Sequence, residues 1–152
     1  MRLPPVVLSL FITVLVVGCG PRRPVVNYVE GTITFDGKPL DKASIFFYPN
    51  DGGGLPATGV TDANGKYQLT SLQGCGTGKG AAAGEYVVAV NRQKDEPSRT
   101  EKMPSITPGM PDEVMVFYDS LIPEKYTSKQ TTPLMFTVVS GKNRFDIAID
   151  KE

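Results

Sequence analysis

Val29-Glu30-Gly31-Thr32-Ile33-Thr34-Phe35-Asp36-Gly37-Lys38-Pro39-Leu40 decides the fold, together with Ala43-Ser44-Ile45-Phe46-Phe47-Tyr48-Pro49 and Thr58-Gly59-Val60-Thr61-Asp62-Ala63-Asn64-Gly65-Lys66-Tyr67-Gln68-Leu69. Each piece alternates apolar and polar side chains, the period of a strand with one buried face. The pieces are cut by Asp36-Gly37 and Asn64-Gly65, dipeptides that accept the positive φ of tight hairpin turns.

Working outward, the alternation predicts seven strands, at 25–35, 43–48, 57–61, 66–70, 85–91, 134–139 and 144–149. Val29, Ile33 and Phe35 share an inward face with Gly31, a small residue that admits another backbone or marks a bulge. Ala43, Ile45 and Phe47 point inward from the second strand, Tyr67 and Leu69 from the fourth, and Tyr86, Val88 and Val90 from the fifth. Phe145, Ile147 and Ile149 point inward from the last, with Arg144, Asp146 and Ala148 outward. Residues 50–56 and 73–83 are Gly-rich and read as loops, the second of them mobile. Residues 92–133 carry charges and prolines without a sustained period. Within them only 114–117 looks strand-like, and 121–126 suits one 3₁₀ turn with Tyr126 packing back. The expected architecture is an all-β, seven-stranded antiparallel sandwich with a long irregular insertion before the last two strands.

The chain has 152 residues, 16 basic and 16 acidic, with no His and no Trp. Balanced charge argues against nucleic acid as a partner, because phosphate recognition needs clustered positive charge. The missing His removes the usual base near neutral pH and the commonest zinc ligand. Positions 6–17 are mostly apolar and follow Arg2. As a helix they would reach only about 18 Å, short of the roughly 30 Å of bilayer hydrocarbon, so they read as a signal-peptide core. Residues 20–24, Gly-Pro-Arg-Arg-Pro, read as a tether, and one domain follows from residue 25 to 152.

Leu15-Val16-Val17-Gly18-Cys19 resembles the lipobox of bacterial lipoproteins. The resemblance implies a signal peptide at 1–18, acylation of Cys19 as the first mature residue, and a membrane partner reached through the lipid. Gly20, where an Asp favours inner-membrane retention in enterobacterial lipoproteins, points towards the outer membrane. Gly31-Thr32-Ile33, Asp36 to Leu40, Ala43-Ser44-Ile45, Thr61 to Tyr67 and Gly84-Glu85-Tyr86 are similar to the carboxypeptidase regulatory-like domain, a transthyretin-like (prealbumin-like) sandwich, over about residues 28 to 91. The C-terminal part, from Ile122-Pro123-Glu124-Lys125-Tyr126 through Gly141 to Phe145, is similar to small lipoproteins common in planctomycete-type bacteria. Such a family implies a non-catalytic module of the cell envelope, without a cofactor, that binds or scaffolds an envelope protein or a glycan.

Individual residues fit this expectation. Asp62-Ala63-Asn64-Gly65 lacks the further carboxylates of a calcium loop and reads as a hairpin turn, so no metal site is expected. Cys75 reads as a free thiol or an intermolecular link, with no His to activate it. Phe46 and Tyr48 lie on the face opposite Phe47. Exposed, they would form an aromatic platform for a sugar or peptide; otherwise residues 92–133 cover them. The acidic residues Asp95, Glu96, Glu101, Asp112, Glu113 and Asp119 read as solvated. No nucleophile elbow, phosphate loop or metal-ligand spacing occurs, and no catalytic residue is expected. A carbohydrate-binding module is the alternative to a protein-binding one. A transthyretin-like hydrolase conflicts with the absence of His.

Overall fold

The computed structural model describes residues 25–50, 54–73 and 76–151; the expected signal peptide, Cys19, the expected tether and Cys75 lie outside them. These residues are all-β, with one short 3₁₀ turn at Glu124–Tyr126. In chain order the strands are β1 Val26–Phe35, β2 Lys38–Pro39, β3 Ser44–Pro49, β4 Ala57–Val60, β5 Lys66–Gln68, β6 Thr70–Gln73, β7 Gly76–Lys79, β8 Ala81–Ala82, β9 Gly84–Asn91, β10 Arg99–Met103, β11 Glu113–Phe117, β12 Met135–Val138, β13 Lys142–Arg144 and β14 Ile147–Ile149. One sheet is built around β1, which pairs with β2, β5, β8, β13 and β14; the other runs β12-β9-β3-β4-β6-β7.

The inward residues of both sheets meet in one core. Val29 and Ile33 of β1 and Ile147 and Ile149 of β14 are buried with Ile45 and Phe47 of β3 and Tyr86, Val88 and Val90 of β9. At its centre the Phe47 ring lies 5.7 Å from Tyr86, 6.2 Å from Phe136 and 6.3 Å from Phe145. Phe136 and Phe145 stack at 4.7 Å. Phe145 lies between β13 and β14 with its N–H bonded to β1, and the other three rings come from the β9 sheet, so this cluster joins the two layers. The expected faces hold: Ala43, Ile45 and Phe47 are fully buried, as are Leu69 and Val90, while Arg144, Asp146 and Ala148 are exposed. Tyr126, at the end of the 3₁₀ turn, packs against the core as expected.

Four expectations need correction. The sandwich is not wholly antiparallel, because β13 and β14 both run parallel to β1, with Glu30 opposite Arg144 and Ile33 opposite Ile147. The predicted last strand is two segments, parted at Phe145 and Asp146, where the Phe145 carbonyl leaves the ladder to accept the Tyr67 hydroxyl at 2.7 Å. The Gly-rich stretch at 73–83 holds β7 and β8 rather than a loop. Between these two strands, at Gly80, a Cβ would run into the Asn27 carbonyl of β1. Finally, the insertion is not irregular throughout. Residues 99–117 form a hairpin of β10 and β11, a two-stranded sheet of its own whose register sets Glu101 opposite Met115.

Candidate functional site

The segment before β3 is held in an unusual path. Thr61 is buried; its hydroxyl donates to the Leu40 carbonyl at 2.6 Å and accepts from the Ala43 N–H at 2.8 Å. The Lys42 N–H donates to the Thr61 carbonyl at 3.2 Å. So bracketed, Lys42 takes φ 55°, a left-handed conformation that costs a non-glycine residue about 1–2 kcal/mol. The local result is that the Asp41 carbonyl accepts the Arg92 Nε at 2.7 Å.

Arg92 organises the start of the insertion. Its guanidinium reaches both Asp95 oxygens, at 3.1 and 3.2 Å, and also donates to the Gln93 carbonyl. Its main-chain carbonyl accepts Leu121 N–H at 2.7 Å, and Gln93 bridges to Ser120. Both stems of the β10–β11 arm therefore leave the sandwich at this residue. Only 12% of the Arg92 side chain is exposed, against 69% of Asp95. The Arg92 hydrogen bond, then its charge and that of Lys42 at 3.8 Å, hold the Asp95 carboxyl below the usual carboxylate range.

These residues form one wall of a cleft of about 410 Å³ whose floor is Phe46, with Ser44 and Asn91 beside it and Lys42, Lys94 and Tyr118 around it. Ser44 and Asn91 face each other across β3 and β9, so the floor is the outer surface of the second sheet. Phe46 and Tyr48 stack along that surface, 6.2 Å apart and 18° from parallel. Both rings are half-buried. The structure thus falls between the two sequence expectations. Residues 92–95 and Tyr118 flank Phe46 without closing over it. At the other end Lys129 sits over the Tyr48 ring at 5.8 Å and donates to the Pro49 carbonyl at 3.5 Å.

Chemically the cleft offers an aromatic face, amide and hydroxyl groups, and charges of both signs. That suits a ligand with an apolar face and a hydrogen-bonding edge. The Asp62 turn shows what its carboxylate does: Oδ1 accepts the Asn64 and Lys66 N–H groups at 2.8 and 2.9 Å. Among the described residues no group of three or more His, Cys, Asp or Glu could hold a metal ion.

Sequence reasoning found Phe46 and Tyr48 but missed Lys42, Arg92, Asp95 and Tyr118. The Arg92–Asp95 spacing carries no signal outside a helix, and nothing local marks Tyr118 as a neighbour of Phe46. Several acidic residues expected to be solvated are exposed yet paired: Asp119 with Lys94 at 3.4 Å and Glu101 with Arg99 at 3.1 Å. No family model, no curated protein and no solved structure matches this chain.

Proposed function

We propose that this chain is a non-catalytic, lipid-anchored module of the cell envelope, with the transthyretin-like topology of carboxypeptidase regulatory-like domains, that binds a partner at the Phe46 cleft. The observation that carries the binding role is the cleft itself, an aromatic floor ringed by hydrogen-bonding groups on a rigid sheet. The anchor rests on Val16-Val17-Gly18-Cys19. A non-catalytic role is supported by the absence of His and by the commitment of Asp95 to Arg92.

Two measurements test this. Cys19→Ser should accumulate as an unprocessed, unacylated precursor; normally acylated protein from that variant overturns the anchor. A photo-crosslinking residue at Tyr118 should capture a specific adduct in intact envelopes that the same residue at Ala148, on the other sheet, does not. Equal capture at both positions overturns the cleft as the binding site.

A glycan ligand is the second reading, favoured by the half-buried Phe46 ring as a stacking floor beside Ser44 and Asn91. A glycan array decides between the two: sugar binding lost in Phe46→Ala selects the glycan.

A further inference from the structure

The β10–β11 arm belongs to neither sheet of the sandwich; among the described residues its two strands pair only with each other. An isolated two-stranded ribbon is marginal in water unless something else packs on it. Its two edges differ sharply. β10 reads Arg99-Thr100-Glu101-Lys102-Met103, with charges at three of five positions, the pattern that discourages pairing with another chain. β11 reads Glu113-Val114-Met115-Val116-Phe117, and Val114, Met115 and Val116 are 57%, 42% and 44% exposed. The arm thus has one guarded edge and one apolar, unguarded edge.

We propose that this unguarded edge is a self-association surface, in which β11 of two copies pair antiparallel about a two-fold axis through Met115. The register makes the case for a second copy as the occupant. Centred on Met115, the pairing sets Val114 against Val116 of the other copy and Glu113 against Phe117, so no like charges meet. The same operation on β10 would set Glu101 against Glu101, which is repulsive. A two-fold contact requires a self-complementary edge, and β11 has one. The chain's formal net charge of zero leaves no long-range repulsion between copies. The arm stems leave the sandwich at Arg92 and Leu121, so two arms join into a four-stranded sheet with the domain bodies held apart. The inference does not depend on the lipid anchor or on the cleft.

Disulfide trapping of the full chain tests it, in a Cys75→Ser background with that parent as control. In the proposed pair, Met115→Cys meets its own copy within the Cα separation of less than about 7 Å that a disulfide allows. Glu101→Cys residues would lie three strand spacings apart, about 14 Å, and should not cross-link. Met115→Lys and Met115→Glu alone should each weaken self-association of the detergent-solubilised chain at least about tenfold in sedimentation, and mixing them should restore a one-to-one dimer. Unchanged circular dichroism keeps the comparison valid, because the arm lies outside the core. Equal trapping at both cysteine positions overturns the proposal, as does a wild-type chain that stays monomeric at tens of micromolar. Flotation of monomeric wild-type protein with phosphatidylglycerol vesicles, lost in Met115→Lys, would reassign the edge to lipid and also overturn it.

Discussion

The main-chain carbonyl of Phe145 occupies the space where a side chain on Gly31 would begin. The Tyr67 hydroxyl, 2.8 Å from that same point, donates to this carbonyl at 2.7 Å. Gly31 is therefore the position at which the C-terminal segment, running parallel alongside β1, presses closest against it. The Phe145 N–H still donates to the Glu30 carbonyl at 3.0 Å, and Thr32 N–H turns to the Asp146 carboxylate at 2.8 Å. Burial, with a smaller contribution from Asp146, pushes the Tyr67 phenol far above its usual range, so it stays a hydrogen-bond donor across the working pH range.

Gly31→Ala should destabilise the domain by about 3 kcal/mol or more, because backbone rather than a flexible side chain must move. Tyr67→Phe should cost less, about 1–2 kcal/mol, since it removes one partner of a hydrogen bond and adds no clash. Urea unfolding of both variants gives the order; a harmless Gly31→Ala would show that the Phe145 carbonyl does not press on β1 there.

Phe47→Ala should cost about 3–5 kcal/mol, as the ring is fully buried and touches aromatic neighbours from both sheets. Phe46→Ala, one residue away on the outer face, should cost under half as much while altering the cleft. Thermal melts of the pair check the strand's orientation.

Asp146 gives a pH signature. Its slight burial opposes its charge, but hydrogen bonds from Arg144 and Thr32, together with the Arg144 charge, prevail and lower its pKa. A lowered folded-state pKa contributes stability above the unfolded value of about 3.9 and loses it as pH falls through the folded value. The group is exposed, so the effect is small. Asp146→Asn should therefore lower stability slightly at neutral pH and flatten the acid limb, so that variant and wild type converge below about pH 4. Unfolding midpoints at pH 6 and pH 3 measure it.

Arg92→Lys should loosen the arm without unfolding the core. A lysine cannot reproduce the fork that holds the Asp41 carbonyl and both Asp95 oxygens. Limited proteolysis should cut within 93–120 several times faster in the variant at nearly unchanged melting temperature. Unchanged cleavage would mean that the arm is held by its backbone pairings alone.

What the sequence determined by itself was local. Alternation at 29–35, 43–47 and 85–90 placed each side chain on its face, because strand period is a property of consecutive residues. Asp36-Gly37 marked a hairpin turn because both residues accept positive φ, and both adopt it, at 51° and 73°. Arg144, Ile147 and Ile149 were likewise assigned to the correct faces. Tertiary structure alone decided the rest. The parallel pairing of β13 and β14 with β1 joins residues 114 positions apart, as in the Thr32–Asp146 hydrogen bond, and no local pattern encodes such a partner. Gly80 is a glycine because the Asn27 carbonyl of β1 leaves no room for a side chain, a crowding that exists only after folding. The cleft beside Phe46 depends on Lys42, Arg92 and Tyr118 arriving from three separate segments. Its geometry is a product of packing, in which each contact is set by where the chain returns rather than by what its neighbours in sequence prefer.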